Sequence, residues 1–161
     1  MIYRVKEKFW SFGDNFAIKD EYGNDCFYVK GKVFSWGDNL SFQDKDRNEI
    51  AVIKQKLFTL LPKYQIFIDG ELYADIQKQW SWFKKKFTLD VPGPNDYTIE
   101  GSFWGHEFSF IRNNREVATI SKKLFAWRDS YSVDIKEDEN HAAIIITCIV
   151  IDQILHDGNH S

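Results

Sequence analysis

Several residue types are scarce in this 161-residue sequence, and each scarcity argues against a class of protein. Only 3 prolines are present, and no tract rich in proline, serine or glutamine marks a linker. The 2 cysteines, Cys26 and Cys148, are too few for a disulfide framework and match no metal-binding spacing, which favours a reduced, cytoplasmic setting. The formal net charge of −3 lacks the basic surplus that nucleic-acid binding requires.

Long apolar runs are also missing. Charged residues are interspersed among the N-terminal residues 1–10, which is not the pattern of a signal peptide. The longest apolar run, residues 142–151, falls well short of the roughly 20 residues that a membrane-spanning helix needs. We therefore expect no membrane-spanning segment. Attachment to a membrane surface is compatible with the sequence.

Aromatic residues, by contrast, are abundant, at 17% of the chain, and they favour pleated, half-buried surfaces. A repeat reinforces this preference. Residues 12–18 (FGDNFAI) reappear as residues 36–42 (WGDNLSF), and residues 49–53 (EIAVI) reappear as residues 116–120 (EVATI). Each unit has short alternating segments joined by a turn rich in Asp, Asn and Gly, such as residues 20–25, which is typical of hairpins.

Counting these segments predicts about a dozen short strands before residue 137, and their spacing suits a sandwich or a barrel. From Asn140 the alternation stops, and residues 142–155 are apolar all round. A buried strand competes with a helix here, because four consecutive residues are β-branched. The length, the acidic residues before the segment and Gly158 after it favour a helix over about 139–156. A helix that is apolar on every face must be surrounded, so we expect it to form the core of one domain over residues 1–161.

The chain resembles the LURP-one-related family, specifically its small bacterial members, which are grouped with the tubby-like domains and the phospholipid scramblases. The similarity runs over nearly the whole chain through segments that are each weakly specific but occur in the family's order. These segments are residues 12–14 (FGD), 53–56 (IKQK), 97–101 (YTIEG), 118–123 (ATISKK), 131–133 (YSV) and 149–152 (IVID).

The resemblance implies a tubby-like fold, a closed antiparallel β-barrel around a central hydrophobic C-terminal helix. Tubby relatives bind phosphoinositides and scramblases act at membranes, so it also implies contact with lipid. This chain lacks the transmembrane tail of the scramblases, and its acidic run at residues 134–139 lacks the spacing of a calcium loop. Scramblase activity and calcium binding are therefore not predicted.

One local cluster is both basic and aromatic, and it is the candidate lipid-binding site: Trp80, Trp82, Lys84, Lys85 and Lys86. Tryptophan at an interface with three lysines beside it suits an anionic membrane surface, where each lysine contributes about 1 kcal/mol. The alternative is an ordinary barrel strand whose lysines only solvate an outer face.

Other candidate sites are weaker. Asp152 and His156 lie one helical turn apart and could share a metal, but two ligands do not make a site, and hydrogen bonding near the helix end is the favoured interpretation. His106 and Glu107 lie beside a turn glycine, and the structural interpretation is favoured there as well. No nucleophile elbow or phosphate-binding glycine loop is present, and a helix that fills the barrel leaves no deep pocket. We therefore expect no catalytic activity, no metal and no cofactor.

The sequence thus predicts a non-enzymatic binding module, cytoplasmic or membrane-peripheral, that contacts anionic phospholipid head groups. The alternative is a protein-interaction or structural module with no role in lipid binding.

Overall fold

The computed structural model describes residues 1–6, 15–34, 37–56, 58–61, 63–79, 86–91, 96–103, 105–122 and 130–157. These residues form twelve β-strands followed by one α-helix. The elements are β1 (Ile2–Lys6), β2 (Asn15–Asp20), β3 (Asp25–Phe34), β4 (Gly37–Asp44), β5 (Glu49–Lys56), β6 (Lys63–Ile68), β7 (Glu71–Gln79), β8 (Lys86–Asp90), β9 (Tyr97–Ser102), β10 (Glu107–Arg112), β11 (Arg115–Ser121), β12 (Ser130–Ile135) and α1 (His141–Asp157).

The strands form one closed barrel. Each strand pairs antiparallel with its neighbour in the sequence, and β1 pairs with β12 to close the ring. In this closing pair Val5 lies opposite Tyr131 and Tyr3 lies opposite Val133. Of the two architectures that the strand spacing allowed, the barrel is correct.

An up-and-down barrel has two rims, and each collects alternate connections. At one rim each odd-numbered strand ends and the next even-numbered strand begins, from Lys6 and Asn15 round to Ser121 and Ser130. We call this rim the tryptophan end, because the connections between these strands contain the tryptophans of the sequence. We call the other rim the turn end. It holds the connections that lead from an even-numbered strand to the next odd-numbered one, such as residues 20–25 and 44–49, together with the start of α1.

The helix fills the barrel. Alternate strand residues point inwards and are buried, for example Tyr64 and Ile66 on β6 and Phe108 and Phe110 on β10. Every residue of α1 from 143 to 151 is at most 2% exposed, so no face of this part of the helix meets solvent. The prediction of a barrel around a buried hydrophobic helix is therefore confirmed.

The helix starts slightly later than the expected residue 139. The side-chain Oδ1 of Asn140 accepts a hydrogen bond of 3.0 Å from the backbone N–H of Ala143. Asn140 is therefore the N-cap, and the first helical residue is His141. With 17 residues, α1 is about 25 Å long and runs from the turn end to the tryptophan end.

The shorter sequence repeat corresponds to two hairpins with the same turn. In the β2–β3 turn, Asp20 Oδ1 accepts bonds of 2.9 and 2.8 Å from the N–H groups of Tyr22 and Asn24. In the β4–β5 turn, Asp44 Oδ1 accepts bonds of 2.9 Å from the N–H groups of residues 46 and 48. The amide of Asn24 also bonds Asp20 Oδ2, and these bonds lower the pKa of the Asp20 carboxyl. Both turns need a left-handed residue at the fourth position, which is Gly23 in the first and residue 47 in the second.

The longer repeat relates the two halves of the barrel. Ile53 of β5 pairs with Ile66 of β6, and 67 residues later Ile120 of β11 pairs with Val133 of β12. The repeated segments therefore share their register as well as their sequence. The barrel is built as two similar six-strand halves that enclose a single helix.

Candidate functional site

The connections between strands at the tryptophan end contain the most unusual part of the composition. All 6 tryptophans of the sequence occur between strands whose adjoining ends lie at this rim. They are Trp10 between β1 and β2, Trp36 between β3 and β4, Trp80 and Trp82 between β7 and β8, Trp104 between β9 and β10, and Trp127 between β11 and β12. These six residues lie outside the described part of the chain, so only the places where their segments begin and end are known.

The connection between β5 and β6 is described, and it exposes two large apolar side chains at this rim. Phe58 is 102% exposed and Leu60 is 104% exposed, so both side chains stand entirely in solvent. We call residues 58–61 the apolar tip. Isolated exposed apolar residues are common on protein surfaces, whereas here two fully exposed side chains lie on one short loop.

Local bonding fixes the shape of the apolar tip. The hydroxyl of Thr59 donates a hydrogen bond of 2.7 Å to the carbonyl oxygen of Leu61. Phe58 has a φ of 62°, in the left-handed region that an aromatic residue rarely adopts. A strained residue that is fully exposed gains nothing from packing within the chain, and such strain is often retained for function.

Lysines flank the apolar tip. Lys56 ends β5 with an exposed side chain, and Lys63 starts β6 with its Nζ 3.2 Å from Asp75 Oδ2. The turn end has the opposite character, because its hairpin turns carry carboxylates such as Asp20, Asp25 and Asp44. The described part of the tryptophan end thus combines exposed apolar side chains with an exposed lysine, in a chain whose formal net charge is −3.

The predicted lipid-binding cluster is not tested by the structure. Trp80, Trp82, Lys84 and Lys85 lie outside the described residues, and of Lys86 only the backbone is described, as the first residue of β8. The strand ends on either side, at residues 79 and 86, belong to the tryptophan end. The described strands on either side of the cluster therefore adjoin the same rim as the apolar tip.

Asp152 bonds residues of the barrel wall. Its Oδ1 lies 2.7 Å from Nε2 of His106, and its Oδ2 accepts a bond of 2.8 Å from the hydroxyl of Tyr131. The His106 and Tyr131 rings stack with centroids 4.8 Å apart. The hydrogen-bonded interpretation of Asp152 is therefore correct, with His106 supplying the imidazole from a distant turn. The side chain of His156 lies outside the described residues, and among the described ones no group of three His, Cys, Asp or Glu could hold a metal ion.

A second set of polar contacts holds the start of the helix at the turn end. Glu139, whose side chain is only 2% exposed, accepts bonds of 2.6 Å from the hydroxyl of Tyr97 and from Arg112. Burial and the bond to Glu139 raise the pKa of the Tyr97 hydroxyl, and the same carboxylate raises the pKa of Arg112. Tyr3 Oη lies 2.9 Å from Nδ1 of His141, and burial raises the pKa of Tyr3 to about 12. The helix is thus fastened to the wall at both ends.

These polar groups hold the helix against the barrel wall. Burial raises the pKa of the Cys148 thiol well above its usual range, so this cysteine is a poor nucleophile. His106, Tyr131 and Asp152 bond one another in the interior, and each is used to anchor the helix. Of the features described, the rim with the apolar tip is the one best suited to bind a partner.

Sequence reasoning missed the apolar tip. The signal was the segment from Lys56 to Lys63, an apolar run bracketed by lysines and containing Pro62. Proline at this position disfavours a continuous strand and indicates a loop, so the apolar residues before it belong to a connection.

Comparison with known proteins places the chain among barrel proteins of this kind. A family described as LURP-one-related matches residues 1–152. The protein called "Uncharacterized protein YxjI" from Bacillus subtilis (strain 168) is 34% identical over 153 residues, which cover 95% of this chain and 93% of the relative. The X-ray structure of an Arabidopsis thaliana protein superposes with a TM-score of 0.64 and 20% identity, over 98% of this chain and 91% of that one, and supports the tubby-like fold alone. Within the described residues, no helix combines the length and apolarity needed to cross a bilayer.

Proposed function

Because the chain belongs to the LURP-one-related family, whose matching relative carries no assigned activity, we propose from its surface that it is a non-enzymatic module that binds anionic membrane lipids through the tryptophan end. The observation that carries the proposal is the apolar tip, where Phe58 and Leu60 are completely exposed. The protein would act as a peripheral protein on the cytoplasmic face of a membrane.

Insertion of the apolar tip supplies a favourable free energy of useful size. Burying a phenylalanine and a leucine side chain contributes about 3–6 kcal/mol in total before entropic costs. Each lysine near an anionic surface adds about 1 kcal/mol, and Lys56 and the lysines at 84–86 belong to segments at the same rim. Tryptophan prefers the boundary between head groups and acyl chains, which suits the six tryptophans of this rim.

The filled interior supports binding at a surface over catalysis in a pocket. Ile144, Ile145 and Ile151 of α1 are completely buried inside the barrel, so the helix occupies the space that a central ligand would need. A ligand must therefore contact a rim or the outer wall. A membrane contacts a whole rim at once and needs no cavity.

Co-sedimentation with vesicles tests the proposal. At low salt the wild-type protein should bind phosphatidylglycerol vesicles and bind phosphatidylcholine vesicles much less, because only the first lipid carries a net negative charge. Added salt should weaken the binding, because it screens the attraction between lysines and lipid head groups. The double variant Phe58→Ser/Leu60→Ser should lose most of this binding. The matched control is Tyr22→Ser, which removes an 84% exposed aromatic side chain at the turn end and should bind like wild type.

The predicted cluster is tested in the same assay. The triple variant Lys84→Glu/Lys85→Glu/Lys86→Glu should bind anionic vesicles less tightly than wild type. Absence of wild-type binding to anionic vesicles, or unchanged binding by the Phe58→Ser/Leu60→Ser variant, contradicts the proposal. A stoichiometric protein partner whose binding depends on Phe58 and Leu60, with no response to lipid, would instead favour the protein-interaction module.

A further inference from the structure

The outer wall beside the closing strand pair carries a basic groove of about 340 Å³. Its lining combines three cationic side chains with a small apolar residue and a hydroxyl: Arg4 and Lys6 from β1, Ala17 and Lys19 from β2, and Ser130 from β12. We call it the β1 groove.

The register of the strands forces like charges together in this groove. Arg4 lies directly opposite Lys19 in the β1–β2 pair, and Lys6 lies opposite Ser130 in the β1–β12 pair. Like charges facing each other across neighbouring strands destabilise a sheet. The ion pair of Lys19 with Asp25 offsets part of this repulsion, and an anion bound at Arg4 would offset more of it.

The carboxylates around the groove do not neutralise Arg4 and Lys6. Asp25 forms an ion pair with Lys19, Asp20 accepts bonds from the amides of its own turn, and Asp134 lies 3.7 Å from the N-terminal amine. Within the described residues, no carboxylate lies within ion-pair distance of Arg4 or Lys6. Among the described residues, Arg4 and Lys6 are therefore the cations of the groove without a carboxylate partner.

We propose that the β1 groove binds a phosphate monoester presented by the head group of an anionic lipid, a specificity that rests on the membrane binding proposed above. A dianionic phosphate suits Arg4 and Lys6, because an arginine fork binds two of its oxygens and a lysine binds it as a point charge. Phosphodiester lipids carry a single charge and match less well.

The position of the groove suits a head group. Lys6 is the last residue of β1 and Ser130 the first of β12, so both lie at the tryptophan end. Arg4 lies two residues further along β1, about 7 Å from that rim. The head-group layer of one leaflet is about 5–7 Å thick, so a barrel resting on its tryptophan end brings the groove to the depth of the phosphates.

Vesicles that differ only in head group test this specificity. At equal mole fraction, wild type should bind phosphatidic acid, a phosphate monoester, about tenfold more tightly than phosphatidylglycerol, a diester. The double variant Arg4→Gln/Lys6→Gln should lose this preference and bind the two lipids equally. The control Lys30→Gln/Lys45→Gln makes the same change in charge outside the groove and should keep the preference.

A soluble probe separates this inference from the function on which it rests. In backbone amide NMR without vesicles, glycerol 3-phosphate should shift the signals of Arg4, Lys6 and Lys19 in wild type and not in Arg4→Gln/Lys6→Gln. If no vesicle binds while these shifts appear, membrane binding is wrong and the groove serves a free phosphate monoester. If the two lipids bind equally and the groove signals do not move, or the shifts cluster elsewhere, the inference is overturned.

Discussion

His106 and Tyr131 stack face to face at the tryptophan end because one carboxylate holds both. Their ring centroids are 4.8 Å apart with an interplanar angle of 24°, while the two oxygens of Asp152 bond the imidazole and the phenol hydroxyl. His106 comes from a turn before β10, Tyr131 from β12 and Asp152 from the last part of α1. Three segments distant in sequence are joined through one side chain, which fixes the depth of the helix in the barrel.

Removing that carboxylate should strongly destabilise the fold. Asp152→Ala leaves the buried His106 and Tyr131 polar groups without their shared acceptor, which is expected to lower the free energy of unfolding by about 3–5 kcal/mol. Asp152→Asn keeps an acceptor oxygen and should cost less. Urea unfolding followed by circular dichroism measures both, and a loss below about 1 kcal/mol for Asp152→Ala would show that the cluster does not anchor the helix.

Gly101 should tolerate no side chain. Its φ is 142°, and a Cβ there would lie 2.5 Å from the carbonyl oxygen of Glu107 and 2.6 Å from the Cα of Phe108. Gly101→Ala therefore forces the β9–β10 backbone apart and should cost about 3 kcal/mol or more.

The control for this variant is Gly31→Ala in β3. A Cβ at Gly31 meets nothing within 4 Å, so this change should stabilise the strand by about 0.5–1 kcal/mol. Thermal unfolding of both variants compares them. Equal effects would contradict the predicted close contact at Gly101.

The buried Tyr3 hydroxyl should make stability fall in strong alkali. Burial raises the Tyr3 pKa to about 12, above the value of about 10 in an unfolded chain, so folding favours the protonated phenol. This contribution is complete below pH 10 and is lost as the pH rises through 12. It amounts to about 2–3 kcal/mol.

Comparison with Tyr3→Phe isolates this contribution. The advantage of wild type over Tyr3→Phe in urea unfolding should shrink by about 2 kcal/mol between pH 10 and pH 12. Tyr22→Phe changes an exposed tyrosine and should follow wild type throughout. A constant difference between wild type and Tyr3→Phe would rule out the linkage.

A substitution of Phe58 in the apolar tip should raise the stability of the fold and weaken the binding to vesicles. Phe58→Gly relieves a left-handed aromatic residue and should raise the free energy of unfolding by about 1 kcal/mol, since no packing is lost. The same change should weaken binding to phosphatidylglycerol vesicles. Calorimetry and co-sedimentation on one preparation measure both effects. If the variant gains stability and still binds vesicles as tightly as wild type, Phe58 does not contact the membrane.

Local patterns were sufficient to predict the architecture. The alternation of residues such as Phe108 and Phe110 predicts a strand with one buried face, and the all-round apolarity of residues 143–151 requires that the helix be enclosed. Closure into a barrel followed once both features were combined with the family resemblance. Strand alternation and helix apolarity depend on residues that are close in the sequence, so they can be predicted from the sequence alone.

Contacts between distant segments were not predictable in the same way. Helical spacing suggested His156 as a neighbour of Asp152, whereas the partner found for Asp152 is His106, 46 residues earlier in the chain. The exposure of Phe58 and Leu60 depends on the backbone path of one loop, and hydrophobicity alone would have placed both side chains in the core. The β1 groove likewise required the register between β1, β2 and β12.

The pairing of β1 with β12 also limits how copies of this molecule can associate. Among the described residues, every strand has a hydrogen-bonded neighbour on both sides, so the ring has no free edge strand that a neighbouring chain could extend. Fibre growth by strand templating would first require a pair of strands to separate, and β1 is held by five residue pairs to β12 but by only two described pairs to β2. A covalent link between β1 and β2 should therefore protect against aggregation more effectively than substitutions on the flat wall.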